Sequence, residues 1–62
     1  MVSNKLKMLS YALGREACKK GIESAYFDEE FKEKVLKRLI LKDHTPYFMA
    51  WLDGWKDAQG NL

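Results

Sequence analysis

Residues 45–60 read TPYFMAWLDGWKDAQG, and this stretch decides the fold. Thr45 is a good N-cap, and Pro46 suits the first helical position, where its missing N–H costs nothing. Gly60 is a typical helix stop. Between these residues the apolar side chains recur at helical spacing over an arc of about 140°. The stretch therefore predicts an amphipathic helix over 46–59 with an aromatic face.

The first part of the chain predicts another helix. Apolar residues recur there at spacings of three and four from Asn4 onward. Gly21 followed by Ile22 is typical of a Schellman stop, in which glycine takes the left-handed conformation and the next apolar residue folds back onto the helix. This pattern predicts a helix over 4–21.

The middle of the chain predicts a third helix, over 28–42. Asp28 is placed to accept hydrogen bonds from the free amides of the first turn. Phe27, just before it, predicts a hydrophobic staple onto that turn. The apolar stripe of this helix consists of Phe31, Val35 and Leu39.

Length and composition restrict the chain to one small domain, 1–62. A hydrophobic content of 47% is too high for a disordered tail, and a charged content of 32% is too high for a membrane protein. We therefore expect an all-α domain of three helices, at approximately 4–21, 28–42 and 46–59. Its predicted core consists of Leu9, Leu13, Phe31, Val35, Leu39, Phe48, Leu52 and Trp55.

The same composition indicates a compartment. A single cysteine, Cys18, cannot form an internal disulfide, which favours a reducing cytoplasm. The longest stretch without Asp, Glu, Lys or Arg is 44–52, far short of the ~20 apolar residues that span a bilayer. We expect a cytoplasmic protein that makes no use of a membrane.

Residues that carry chemistry are few. One cysteine and one histidine do not make a zinc site, and the four glycines follow no phosphate-binding pattern. Asp53 and Asp57 lie one helical turn apart, and a solvated helix face explains them better than an acid/base pair. The sequence therefore predicts a protein that is not an enzyme and holds no metal or cofactor.

Two glycines lie inside predicted helices. Gly14 and Gly54 each cost about 1 kcal/mol relative to alanine at such positions. Close approach of another backbone is the usual compensation. We therefore hypothesise tight helix packing at both glycines, and at Gly54 in particular.

Candidate RNA contacts lie on the first and third helices. Lys5, Arg15 and Lys19 fall within about 80° of one another on the helical wheel, an arrangement that can meet phosphates. An ordinary solvated face explains this stripe equally well. Two tryptophans on an apolar arc are more often core than base-stacking residues, so we expect one buried and one exposed. The candidate contacts are Lys5, Arg15, Lys19, Lys20, Tyr47 and Trp51.

One set of residues resembles a known family. It comprises Gly14, Ala17 and Gly21, then Pro46-Tyr47, and above all the segment 51–58, WLDGWKDA. This pattern resembles the ribosome modulation factor family of small bacterial proteins, which includes phage-borne relatives, most specifically in its WLxGWxxA ending. The resemblance implies a helical protein that docks on the small ribosomal subunit near the messenger-binding region and helps to silence ribosomes.

Two functions remain open at this point. The first is a non-enzymatic, ribosome-associated protein that contacts RNA and modulates translation. The alternative is a phage or mobile-element protein that binds and inhibits a host protein complex through an apolar or aromatic patch. Leu36 and Ile40 are the predicted anchors of that patch, because the apolar arc of the second helix is wider than one small core needs. The same surplus of apolar surface on the second helix also predicts a homo-oligomer.

Overall fold

The computed structural model describes residues 4–38 and 44–60. These ranges contain helices and no strand, so the predicted all-α fold with three helices is confirmed. In chain order the elements are α1 (Asn4–Lys19), a 3₁₀ turn (Ala25–Phe27), α2 (Glu29–Lys34), a second 3₁₀ turn (Leu36–Arg38) and α3 (Thr45–Gly60).

The two long helices, α1 and α3, pack against each other with their backbones in contact. A Cβ atom added at Gly14 would lie 1.9 Å from the carbonyl oxygen of Trp51, and one added at Gly54 would lie 2.0 Å from that of Tyr11. Tyr11 of α1 therefore lies against Gly54 of α3, and Gly14 of α1 lies against Trp51. Residue numbers thus increase along α1 in the direction in which they decrease along α3. The helices are antiparallel, and glycine at both positions allows them to touch.

This close approach selects the buried face of α3. The side chains turned toward α1 and the core are those of Tyr47, Trp51 and Ala58, together with Gly54. The predicted core residues of this helix are only half-buried, at the edge of that face, and they are Phe48, Leu52 and Trp55. The buried face of α3 therefore differs from the predicted one. Small residues, which let the two backbones approach, determine this face, and the most hydrophobic side chains do not.

The carboxyl end of α1 has the predicted Schellman geometry. Gly21 has a φ of 80°, and its N–H donates to the carbonyl of Cys18 over 3.1 Å. The N–H of Ile22 donates to the carbonyl of Ala17 over 2.8 Å. These two hydrogen bonds are the pair that defines the motif. The α-helix itself ends at Lys19, two residues before the predicted limit.

The amino end of α2 is capped by Asp28, as the sequence predicts. Its Oδ1 accepts from the N–H of Phe31 over 3.2 Å, and Glu29 and Glu30 lie in the first turn. The predicted staple by Phe27 is wrong. This side chain is 72% exposed, because the residues before the cap form the 3₁₀ turn, which directs it to solvent.

α2 is much shorter than the predicted helix. It ends at Lys34, and Val35, with φ −118° and ψ −63°, leads into the second 3₁₀ turn. Val35 is fully buried in the core cluster, and burial against residues distant in the sequence is an effect that local helix propensity does not contain. The remainder of the prediction, 39–42, lies outside the described residues.

The buried cluster joins all three helices. Sequence reasoning placed the core where the second and third helices meet, but the most extensive contact is between α1 and α3. Leu13, Phe31 and Val35 are buried as predicted, Leu9 is half-buried, and Leu39 lies outside the described residues. The cluster consists of Leu13, Ala17, Ala25, Phe31, Val35, Tyr47 and Trp51.

α3 begins one residue earlier than predicted. The carbonyl of His44 accepts hydrogen bonds from the N–H groups of Tyr47 and Phe48, over 3.1 and 3.0 Å. Thr45 is therefore already inside the helix, and Pro46 lies in its first turn.

Candidate functional site

The side of α1 that points away from α3 carries the predicted basic stripe. Ser10, Leu13, Gly14 and Ala17 are buried on the opposite side. We call the solvent side the outward face of α1, and it consists of Lys5, Met8, Ala12, Arg15 and Lys19. All of these residues are exposed except Arg15, which is half-buried. The fold therefore brings Lys5, Arg15 and Lys19 together on one surface.

Two of these three cations also interact within the helix. The Nζ of Lys19 lies 3.9 Å from the carboxylate of Glu16, and both side chains are 57% exposed. Such a pair is weak in water. The guanidinium of Arg15 lies 5.9 Å from the centre of the Tyr11 ring, over which it stacks. The positive charge of the stripe is thus partly neutralised, but the stripe stays accessible to an anionic partner.

Tyr11 links the outward face to α3. Its hydroxyl donates to the carboxylate of Asp57 and accepts from Nη1 of Arg15 over 3.5 Å. Asp53 and Asp57 are both exposed on α3, and Asp57 is the one that this hydrogen bond connects to α1. The arrangement supports helix pairing and does not resemble an acid/base pair.

Lys20 directly follows the last residue of α1, and its side chain reaches α2. Its Nζ donates to Glu30 over 3.1 Å, and the same carboxylate accepts from Lys34 over 3.3 Å. The hydrogen bond to Glu30, followed by the charge of Glu30, raises the pKa of Lys20 above 10.5. The hydrogen bonds from Lys20 and Lys34 lower the pKa of Glu30 below 4.5. The three side chains carry a net charge of +1.

The Lys20–Glu30 pair predicts a pH-dependent contribution to stability. Because the pKa of Glu30 is lowered by folding, its contribution is complete above the ordinary carboxyl value of 4.5 and is lost as the pH falls through the lower folded value. Glu30→Gln is expected to lower Tm slightly near neutral pH, and the difference from the wild type should vanish in acid.

Thermal melts followed by circular dichroism between neutral and acidic pH measure this difference. Glu33→Gln is the matched control, since among the described residues Glu33 pairs with Lys37 one turn away in the sequence, over 3.4 Å. A Glu30→Gln difference that stayed constant down to strong acid would contradict the assignment.

Tyr47 and Trp51 are not at the surface. Each is 2% exposed, so neither ring can stack on a base while the domain is folded, and their predicted role as RNA contacts is wrong. Trp51 is buried because its Nε1 donates to Oδ2 of Asp28 over 2.8 Å, which satisfies its polar group in the core. Trp55 is half-buried, and its Nε1 donates to the carbonyl of Ile22 over 2.6 Å.

An apolar cleft opens beside the first 3₁₀ turn. Its volume is about 210 Å³, and Tyr26 and Met49, which are 70% and 55% exposed, stand at its mouth. The Tyr26 and Phe48 rings lie 5.3 Å apart, tilted by 42°. We call this feature the aromatic cleft, and it is lined by Glu23, Ser24, Ala25, Tyr26, Phe48, Met49, Trp51 and Leu52.

Sequence reasoning missed Tyr26 and Phe27 as surface residues. A signal was present: Ser24 stands two residues before Tyr26, and its Oγ accepts from the Tyr26 N–H over 3.2 Å. A serine in that position favours a turn, which displays the following side chains to solvent.

Of the two predicted protein-binding anchors, the structure describes only Leu36. Leu36 is half-buried and packs against the core, so most of its apolar surface is already used. Ile40 lies outside the described residues.

Among residues 4–38 and 44–60, no three or more His, Cys, Asp or Glu side chains are grouped as a metal ion requires. None of the helices described is both long enough and apolar enough to cross a bilayer. Within this part of the chain, every buried side-chain nitrogen or oxygen has a hydrogen-bond partner.

Comparison with known proteins adds no relative. Neither the protein-family models, nor the curated proteins, nor the solved structures include a significant match to this chain. The functional assignment therefore depends on the surfaces described above.

Proposed function

We propose that this chain is a non-enzymatic binding protein that associates with the ribosome, contacts RNA and modulates translation. The observation that carries the proposal is the outward face of α1, where Lys5, Arg15 and Lys19 lie together on the side of the helix turned away from the core. The resemblance of the WLDGWKDA segment, 51–58, to the ribosome modulation factor family supports the same function.

The spacing of these cations suits a polyanion. Lys5 and Lys19 are fourteen residues apart on one helix, which corresponds to about 21 Å along its axis. Only an extended row of negative charges can engage both ends at once. RNA supplies such a row, and each phosphate that a lysine neutralises releases condensed counterions. Binding should therefore weaken steeply as salt rises.

Removing the two terminal lysines tests the role of this face. Lys5→Gln/Lys19→Gln is expected to weaken co-sedimentation with ribosomal subunits at low salt. It should also reduce the slope of log affinity against log salt by roughly 1 for each lysine that contacts a phosphate. Affinity is measured by titrating subunits at several salt concentrations.

A charge-matched control distinguishes the effect of losing these two lysines from the effect of lowering the net charge of the chain. Lys32→Gln/Lys37→Gln removes two positive charges from the α2 region, where Lys32 pairs with Glu29 over 3.1 Å and Lys37 with Glu33 over 3.4 Å. This variant should retain the wild-type slope. Equal losses in both double variants would contradict a specific role for the outward face of α1.

A pull-down from bacterial lysate distinguishes RNA from a host protein as the partner. With the chain as bait, nuclease treatment should release the ribosomal material. Retention of one stoichiometric protein after nuclease treatment, together with salt-tolerant binding, would overturn the proposal in favour of a host-protein inhibitor. Addition of the purified chain to a cell-free translation reaction should lower the yield, whereas Lys5→Gln/Lys19→Gln should lower it less.

A further inference from the structure

The aromatic cleft combines open ring surface with a negative charge. Tyr26, which is 70% exposed, and Phe48 contribute the rings, whose centres lie 5.3 Å apart. Among the described residues that line the cleft, Glu23 is the only charged one, and it is exposed. Within residues 4–38 and 44–60 its carboxylate takes part in no ion pair. A ring face and an unpaired carboxylate are therefore available in the same cleft.

A second carboxylate lies behind the wall of the cleft. The Trp51 indole lines the cleft, and its Nε1 donates to Oδ2 of Asp28 over 2.8 Å. Asp28 is 4% exposed, and a charge buried in this way is screened less by salt than a charge at the surface. The charge of Asp28 acts on Lys20, but the Lys20 side chain is hydrogen-bonded to Glu30 and does not line the cleft. The aromatic cleft is thus complementary in charge to a cation.

The size and the rigidity of the cleft suit a single side chain of a partner. Pockets for small molecules measure about 300–1,000 Å³, whereas the aromatic cleft has a volume of about 210 Å³. The turn that carries Tyr26 is closed by hydrogen bonds at both ends, from the Tyr26 N–H to Ser24 and from the Asp28 N–H to the carbonyl of Ala25. A ligand therefore orders little of the chain when it binds, so less of the contact energy is lost.

Arginine is the side chain that can use the rings and the carboxylate together. Cations bind over the face of an aromatic ring within about 6 Å of its centre, and arginine is found there more often than lysine. The planar guanidinium stacks on the ring and keeps N–H donors at its edge, which a carboxylate accepts. The chain itself contains such a stack, because the guanidinium of Arg15 lies 5.9 Å from the centre of the Tyr11 ring.

From these observations we propose that the aromatic cleft binds an arginine side chain exposed on a partner protein, stacked on Tyr26 and hydrogen-bonded to Glu23. None of the residues that line the cleft belongs to α1, so this surface is separate from the outward face of α1. The inference therefore goes beyond the proposed function and does not require RNA binding. It gives the chain a second surface, whose charge is opposite to that of the first and which selects a basic protein.

The test uses the full chain and two short peptides. The probe is acetyl-Gly-Arg-Gly-amide, and its control carries citrulline, the uncharged analogue of arginine with nearly the same shape. Millimolar concentrations of each are titrated into the isotope-labelled protein, and binding is followed by the shifts of its amide NMR signals. The arginine peptide should shift the signals of the residues that line the cleft. It should bind about fivefold or more tightly than the citrulline peptide, which loses both the ring contact and the ionic contact.

Single substitutions separate the two contacts. Glu23→Gln keeps the shape of the side chain without its charge and should weaken the arginine peptide by about twofold to fivefold. Tyr26→Leu keeps an apolar side chain without a ring face and should weaken this peptide to a similar extent. Glu29→Gln is the charge-matched control, because Glu29 is exposed, lies outside the lining of the cleft and pairs with Lys32. This variant should bind like the wild type.

The outcomes of this test are independent of RNA. Circular dichroism melts report whether Tyr26→Leu remains folded, and Glu23→Gln, at an exposed position, tests the inference without that requirement. Equal affinity of the wild type for the two peptides would overturn the inference, and so would equal weakening by Glu23→Gln and Glu29→Gln. Shifts confined to residues outside the cleft would contradict it as well. The proposed function would stand in each case, because Lys5→Gln/Lys19→Gln tests it separately.

Discussion

Gly54→Ala is expected to remove most of the free energy that stabilises the folded state. A Cβ at this position would lie 2.0 Å from the backbone oxygen of Tyr11, whereas even a short C–H···O contact needs about 3.3 Å. α1 and α3 would have to separate by more than about 1 Å along their contact, which weakens dispersion attraction across the interface. We expect a loss of about 3 kcal/mol or more, which exceeds the gain of about 1 kcal/mol in helix propensity.

The size of this loss matters because the domain is small. A single core in a chain of this length supplies about 3–5 kcal/mol of net stability, so a loss of about 3 kcal/mol leaves about 2 kcal/mol or less, and the variant should unfold at a much lower urea concentration than the wild type. Gly14→Ala, whose Cβ would lie 1.9 Å from the Trp51 oxygen, should behave in the same way. Urea denaturation followed by circular dichroism measures both losses.

Gly60 provides the control for Gly54. It also lies in α3, but a Cβ added there meets no atom within 4 Å. Gly60→Ala should therefore melt at the wild-type temperature or slightly above it, because alanine is the better helix former. A cooperative, wild-type-like melt of Gly54→Ala would show that the two backbones are not in contact at that glycine.

Asp28→Ala is expected to cost about 1.5–5 kcal/mol of folding free energy. This carboxylate, only 4% exposed, accepts from the Phe31 N–H and from Nε1 of Trp51, so it caps α2 and satisfies the buried indole. Loss of an N-cap costs about 0.5–2 kcal/mol. A buried donor left unsatisfied costs about 1–3 kcal/mol more. The sum is comparable with the whole stability of a domain of this length.

Substitutions at Asp28 and Trp51 separate the two roles. Asp28→Ser retains a capping oxygen on a shorter side chain and should lose the indole contact alone. Trp51→Phe removes the indole N–H, so the double variant Asp28→Ala/Trp51→Phe should be more stable than the sum of the single losses predicts, by about 0.5–3 kcal/mol. Asp53→Ala, an exposed carboxylate on α3, should change stability by less than about 0.5 kcal/mol. Strict additivity in this cycle would contradict a direct interaction.

The functional surfaces were only partly foreseeable. The outward face of α1 follows from the 3.6-residue period alone, since residues 5, 15 and 19 share a side in any α-helix. The aromatic cleft does not follow from this period, because it combines the 3₁₀ turn with side chains of α3 that lie more than twenty positions further along the chain. The sequence leaves open which tryptophan is buried and offers Tyr47 and Trp51 as RNA contacts, because a helical wheel shows an apolar arc without showing which part of it meets a neighbour.

Features set by neighbours within about five residues were already present in the amino-acid order. Asp28 caps α2 and Gly21 ends α1 because a side-chain oxygen or a left-handed glycine acts on the nearest backbone groups, whatever the remainder of the chain does. The all-α class has the same local origin. By contrast, folding alone determined the length of α2, the buried side of α3 and the hydrogen bond between Asp28 and Trp51. Each of these depends on contacts between residues far apart in the sequence, and such contacts exist only in the packed molecule.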